Sequence, residues 1–175
     1  RIDEATLSTV PVHSGLTKPR GFTAMGSSLY FSGNAGSTIG VFKLNSAMGP
    51  PVSVAVSSNS VPSHLHAVGN TLYFYDYSSA TDFALWKSDG TASGTLPLKD
   101  YFPNTSSMTL YESIDLGGIY YAQVGDNKGN YQLWRSNGTV SGTTIVAEVF
   151  GFHYTISNGS LLFQVYLGSG AEAWT

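Results

Sequence analysis

The stretch LWKSDGTASGT at residues 85–95 returns almost letter for letter as LWRSNGTVSGT at residues 133–143, 48 positions later. A period of that length sets the unit in which the rest of the chain is read. A second marker is an apolar pair after a glycine turn. MGSSLYF ends at Phe31, VGNTLYF at Phe74, LGGIYY at Tyr121 and SNGSLLF at Phe163, in steps of 43, 47 and 42 residues. The tryptophan position agrees, with Phe42, Trp86, Trp134 and Trp174 in steps of 44, 48 and 40. The spacing predicts four repeats over about 20–56, 63–100, 110–148 and 152–175, the last completed by 5–13.

Each repeat reads as four short strands. In the second these are HLHAV, TLYFYDY, FALWKS and TLPLKD, separated by Gly69-Asn70, residues 78–82 and Asp89-Gly90. Runs rich in Tyr, Phe, Val, Leu and Thr, punctuated every 8–12 residues by turn formers, predict an all-β chain. Asp-Gly and Asn-Gly tolerate positive φ and mark the turns. No segment carries a helical period.

Four strands per unit at a period near 44 predict one four-bladed β-propeller over residues 1–175. The fourth repeat ends after its third strand, at Trp174-Thr175. STVPV at residues 8–12 matches GTLPL at 94–98, the outer strand of the second repeat. The N-terminal strand is therefore expected to pair with the last blade and close the ring, removing an open sheet edge. Pro11 and Pro97 suit outermost strands, because proline cannot donate to a ladder. The chain starts at Arg1 without Met or a leader-like segment, which implies a removed leader or a fragment.

FALWKSDGTASGT and YQLWRSNGTVSGT resemble a tandem repeat of bacterial secreted and surface proteins with the consensus Glu-Leu-Trp-x-x-Asp-Gly-Thr. Ala84 and Gln132 stand where that consensus has Glu. The resemblance implies a β-propeller and no common activity. A closed propeller of this size is also similar to the hemopexin type, whose ends are tied by a disulfide; this chain has no Cys.

Composition narrows the function. Charged residues make up 11% of the chain and hydrophobic ones 42%. An average soluble domain is roughly 25% charged, so this surface is poor in charge. Polarity comes from Ser, Thr, Asn and Gly, which suits a secreted protein. The net charge is −3 and the basic residues are scattered. Phosphate binding needs a basic stripe, so nucleic acid is not expected as a partner. No apolar run reaches the ~18 residues that insertion into a membrane needs. Without Cys there is no thiolate metal site and no Cys nucleophile. Sequons occur at Asn104, Asn137 and Asn158.

Candidate ligand-binding residues follow from the repeats. Trp86 and Trp134 are aromatic platforms for a sugar face, or wedges between sheets. Asp89 and Asn137 offer hydrogen bonds to hydroxyl or acetamido groups, or start turns. His64 and His153 hold matching positions in opposite repeats, with Gly21 and Tyr111 in the other two. They are expected at the channel mouth. Tyr77 and Asp126 lie on loops of one face, with Tyr101, Phe102, Asn104, Phe150, Phe152, Asp82, Asn127 and Lys128. Aromatics beside neutral or acidic hydrogen-bonding groups are what small polar ligands need. No motif marks catalytic residues, a metal or a cofactor, and Gly168-Ser169-Gly170 is a hairpin loop. The expected function is a non-enzymatic, multivalent lectin for glycans or glycoproteins, with a lean toward N-acetylated hexoses, acting as a monomer or small homo-oligomer. A protein–protein adhesion module and a channel-centred binder of an ion or small molecule are the alternatives.

Overall fold

The computed structural model describes residues 2–3, 8–9, 15–45, 49–58, 60–77, 83–101, 108–166 and 171–175. A short pair, β1 (Ile2–Asp3) with β2 (Ser8–Thr9), precedes four antiparallel sheets that follow one another along the chain. The first contains β3 (Leu16–Met25), β4 (Ser28–Ala35), β5 (Thr38–Leu44) and β6 (Val52–Ser57). The second contains β7 (Ser63–Val68), β8 (Thr71–Tyr77), β9 (Phe83–Ser88) and β10 (Leu96–Asp100). The third contains β11 (Met108–Leu116), β12 (Ile119–Asp126), β13 (Tyr131–Ser136) and β14 (Thr144–Ala147). The fourth has three strands, β15 (Gly151–Ser157), β16 (Ser160–Tyr166) and β17 (Ala171–Trp174). Every sheet is a meander with spatial order equal to chain order.

The first hairpin of each sheet turns on two residues, as Met25↔Ser28, Val68↔Thr71, Leu116↔Ile119 and Ser157↔Ser160 show. Gly117-Gly118 and Asn158-Gly159 have positive φ at both positions. That is the primed turn, whose twist matches the twist of the strands. The second strands are the most buried: Leu72 to Asp76 of β8 are all inside. A strand covered on both faces reads as a near-continuous apolar run, which is what LYFY supplies.

Consecutive sheets meet through their first strands, β3 on β7, β7 on β11 and β11 on β15. Tyr30, Val41, Val54, Leu72 and Phe74 pack the first junction. Tyr73, Tyr75, Leu98, Tyr101, Tyr120 and Trp134 pack the second. Leu133, Tyr154, Leu161, Phe163 and Val165 pack the third.

The closed ring expected from the repeats is not formed. The four sheets are separate, and none closes into a ring. Ser8–Thr9 pairs with Ile2–Asp3 and not with β17. The rest of the expected closing segment, including Pro11, lies outside the described residues. Loop-closure entropy explains the choice, since a partner a few residues away is reached far more easily than one at the other end of the chain. The four-bladed propeller, and with it the implied kinship to the Glu-Leu-Trp and hemopexin families, is therefore corrected to an all-β chain of consecutive antiparallel sheets.

Register corrects one alignment as well. Phe31 pairs with Phe42, Phe74 with Trp86, and Phe163 with Trp174. Trp134 pairs with Ala122, so Ala122 and not Tyr121 is the third member of that set. A one-residue shift puts Tyr121 on the opposite face of its strand.

Candidate functional site

The doubled phrase builds a pair of matching turns. Asp89 Oδ1 accepts from Thr91 N at 2.9 Å and from Thr91 Oγ1 at 2.7 Å. Asn137 Oδ1 does the same for Thr139, at 3.1 and 2.7 Å. Ser88 and Thr95 hydroxyls meet at 2.8 Å, and so do those of Ser136 and Thr143. Thr91 and Thr139 hydroxyls each accept from a glycine N–H, Gly94 and Gly142, at 3.0 Å. These bonds hold the Asp89 carboxyl below its ordinary range, chiefly through Thr91. Oδ1 of each residue thus holds its own turn, which gives Asp89 and Asn137 a structural role.

Each turn also docks on the preceding sheet. A Cβ on Gly90 would collide with the Tyr30 hydroxyl, and one on Gly138 would stand 3.3 Å from that of Tyr73. Lys87 Nζ donates to Gly138 O across the second junction. Trp134 is 4% exposed and lies 4.7 Å from the Tyr101 ring, so it is a wedge between strands and not an open platform. Trp86 is partly buried and stacks on Phe74 at 6.2 Å. Trp174 is exposed on β17.

His64 and His153 are held in the left-handed region, at φ 54° each. Non-glycine residues are uncommon there. Both sit where register breaks, between Ser63 and His66 and between Phe152 and Thr155. Gly21 and Tyr111 fall at the corresponding breaks of β3 and β11. A β-bulge at that point re-aims His64, Tyr111 and His153 in the last three sheets, while Gly21 holds the position in the first. The two histidines have different hydrogen-bond partners. His64 Nδ1 pairs with Ser63 Oγ at 3.0 Å, while His153 Nδ1 pairs with Gln164 Oε1 at 3.1 Å. Partial desolvation, then the charge of Arg20, lowers the His64 pKa. Among the described residues no group of three or more His, Asp or Glu could hold a metal ion. Tyr77 packs edge-on against Phe83 at 5.1 Å. It stands beside residues 78–82, which lie outside the described set along with Phe102, Asn104 and the Gly168-Ser169-Gly170 loop.

One face brings several predicted loop residues together. The bulge in β11 pushes Tyr111 outward, where it is 45% exposed. Tyr131 begins β13, and Phe150 ends the connection from β14 to β15. Their rings form a trio: Tyr131 to Phe150 at 4.5 Å, Tyr111 to Phe150 at 5.1 Å and Tyr111 to Tyr131 at 5.8 Å. Phe152 and His153 continue the strip, at 5.9 and then 5.0 Å. Gly125 makes the trio possible. A Cβ there would lie 2.7 Å from Tyr131 and 3.0 Å from Tyr111. The residues in the same register of the first two sheets are Asn34, opposite Ile39, and Tyr77, opposite Phe83, so neither repeats the glycine that underlies the trio.

A cleft of about 470 Å³ opens beside these rings, lined by Gly129, Asn130, Tyr131, Gln132, Glu148, Val149 and Phe150. That volume falls in the roughly 300–1,000 Å³ range of small-molecule sites. The 127–130 loop forming one wall is fixed by Asp126. Its Oδ1 accepts from the N–H groups of Lys128 and Asn130 at 2.8 and 2.9 Å, and its Oδ2 accepts from Asn130 Nδ2 at 2.6 Å. Gln132 Oε1 accepts from Trp134 Nε1 at 2.9 Å. Among the described residues, Gln132 Nε2, Asn130 Oδ1 and the Glu148 carboxylate have no partner. The cleft therefore offers ring surface, a free donor and free acceptors side by side.

Of the residues predicted from sequence, Asp126, Phe150, Phe152 and His153 gather here, with Asp126 as the post that holds the loop. Tyr131, Gln132 and Glu148 were not anticipated. Their signal was present as a Tyr-Gln pair heading β13 and an acid two residues before Phe150, but only register places Gly125 beneath the rings. No family model matches the chain, and no curated protein is detectably similar to it.

Proposed function

We propose that the protein is a carbohydrate-binding protein whose site is the cleft between Tyr131, Phe150 and Glu148. Phe150 packed on Tyr131 at 4.5 Å beside unpartnered amide and carboxylate groups is the observation that carries the reading. A pyranose has an apolar C–H face and a rim of hydroxyls that both donate and accept. An aromatic floor receives the first, and mixed donors and acceptors receive the second. Gln132 Nε2 donates, while Asn130 Oδ1 and Glu148 accept. An open cleft fixed by a tight loop loses little conformational entropy on binding. Aminohexoses, including the N-acetylated forms, belong to the class that such a cleft accommodates, and an extracellular setting fits a glycan ligand.

The reading concerns one site. Several equivalent sites were expected around a ring, but the platform depends on Gly125 and its counterparts in the first two sheets carry side chains. Glycan-array binding and titration calorimetry test the proposal. Tyr131→Ala and Phe150→Ser each abolish sugar binding while the far-ultraviolet circular dichroism stays unchanged. A silent array, with capture of a protein ligand by the same face, would move the protein to the adhesion class.

A further inference from the structure

We infer that Glu148 sets a charge preference in this cleft, favouring sugars that carry a protonated amine over their N-acetylated counterparts and disfavouring carboxylated ones. This inference rests on the carbohydrate reading above.

Glu148 is the single charged side chain among the residues that line the cleft; Lys128, next to Gly129 in the wall loop, is not one of them. The other carboxylate of the neighbourhood, Asp126, is committed to the loop through both its oxygens. The Glu148 carboxylate has no such commitment. It lies two residues before Phe150 on the connection between β14 and β15, so the acid and the ring are presented by one short segment. The faces of Tyr131 and Phe150 add an attraction of the same sign, because an aromatic ring carries negative potential on its face. A carboxylate beside ring faces stabilises an ammonium through both effects. Acetylation removes the charge and forfeits both, whereas a uronic acid meets a like charge that no basic residue of the lining offsets.

Tetramers of glucosamine, N-acetylglucosamine and galacturonic acid are titrated into the whole chain at pH 6 and low ionic strength. The glucosamine tetramer is expected to bind about tenfold more tightly than the N-acetylated one, from an exposed ion pair and a cation–π contact together. The ratio shrinks in high salt. Glu148→Gln brings the ratio close to one, leaves the N-acetylated tetramer unaffected, and improves binding of the galacturonic acid tetramer. If the N-acetylated tetramer binds and is lost in Tyr131→Ala, but the ratio in Glu148→Gln equals that of the wild type, the charge preference is wrong and the carbohydrate reading stands. If no tetramer binds, or Tyr131→Ala binds all three unchanged, both fall.

Discussion

Trp134 Nε1 donates to Gln132 Oε1 at 2.9 Å, an acceptor two positions earlier on the same strand. In the second sheet Ala84 holds that position, and Trp86 Nε1 is buried without a partner. The same indole is satisfied in one sheet and left unpaired in the other because a single letter differs.

Gln132→Ala strands the Trp134 donor as well. An unsatisfied buried N–H costs about 1–3 kcal/mol. Gln132→Glu keeps an acceptor in place and retains most of the stability. Urea denaturation of the two variants is the check, and equal midpoints for Gln132→Ala and wild type would remove the bond from the account.

The turn glycines are graded by what lies above them. Gly90 and Gly138 have φ of 91° and 81°, so alanine is strained at either. At Gly138 the Tyr73 hydroxyl leaves room for a small adjustment, whereas at Gly90 the Tyr30 hydroxyl occupies the Cβ position. Gly138→Ala is expected to cost about 1–2 kcal/mol from backbone conformation. Gly90→Ala is expected to cost about 1–3 kcal/mol more, from overpacking. Chemical denaturation ranks them, and the reverse order would show that these turns do not dock on the preceding sheet.

The tryptophans test wedge against platform. Trp134 is 4% exposed and Trp174 is 40% exposed. Trp134→Ala should cost roughly 3–5 kcal/mol, as truncation of a buried aromatic does. Trp174→Ala should cost much less. A stable Trp134→Ala protein that no longer bound sugar would return this residue to the binding site.

His66 makes stability depend on pH. It lies against the Tyr120 ring at 5.5 Å, and its Nδ1 is 3.0 Å from Ser113 Oγ. Burial lowers its pKa below 6.5, with Asp115 opposing more weakly. The unfolded state therefore takes up a proton first as pH falls. Stability from this group is complete above 6.5 and is lost progressively as pH drops from there to the lower folded value. Asp76, raised by burial, acts with the opposite sign, so the comparison is wild type against His66→Gln. The urea midpoint of the wild type should fall more between pH 7.5 and pH 5 than that of the variant. Parallel profiles would exclude His66 as the source.

The turns were the most legible part of the chain. Asp89 and Thr91, or Asn137 and Thr139, are two residues apart, so their bonds depend on nothing beyond the segment that contains them. The strand pattern was legible for a similar reason: TLYFYDY and FALWKS are the bounds of β8 and β9. The same locality misled the reading of the whole. Two copies of a good turn look like two blades of a ring, although the turn says nothing about which distant strand closes a sheet.

By itself, then, the sequence determined an all-β chain, its hairpins, and an aromatic loop face containing Phe150 and Phe152. Tertiary structure alone decided that Ala122 faces Trp134 and that Gly125 lies under Tyr111 and Tyr131. The first group rests on hydrogen bonds and side-chain periods that act within about ten residues of chain. The second rests on register and on packing between distant segments, where one residue of slip moves every side chain to the other face. The cleft belongs to the second group, because Tyr111, Tyr131 and Phe150 become neighbours only when three strands and a bulge are in their final register.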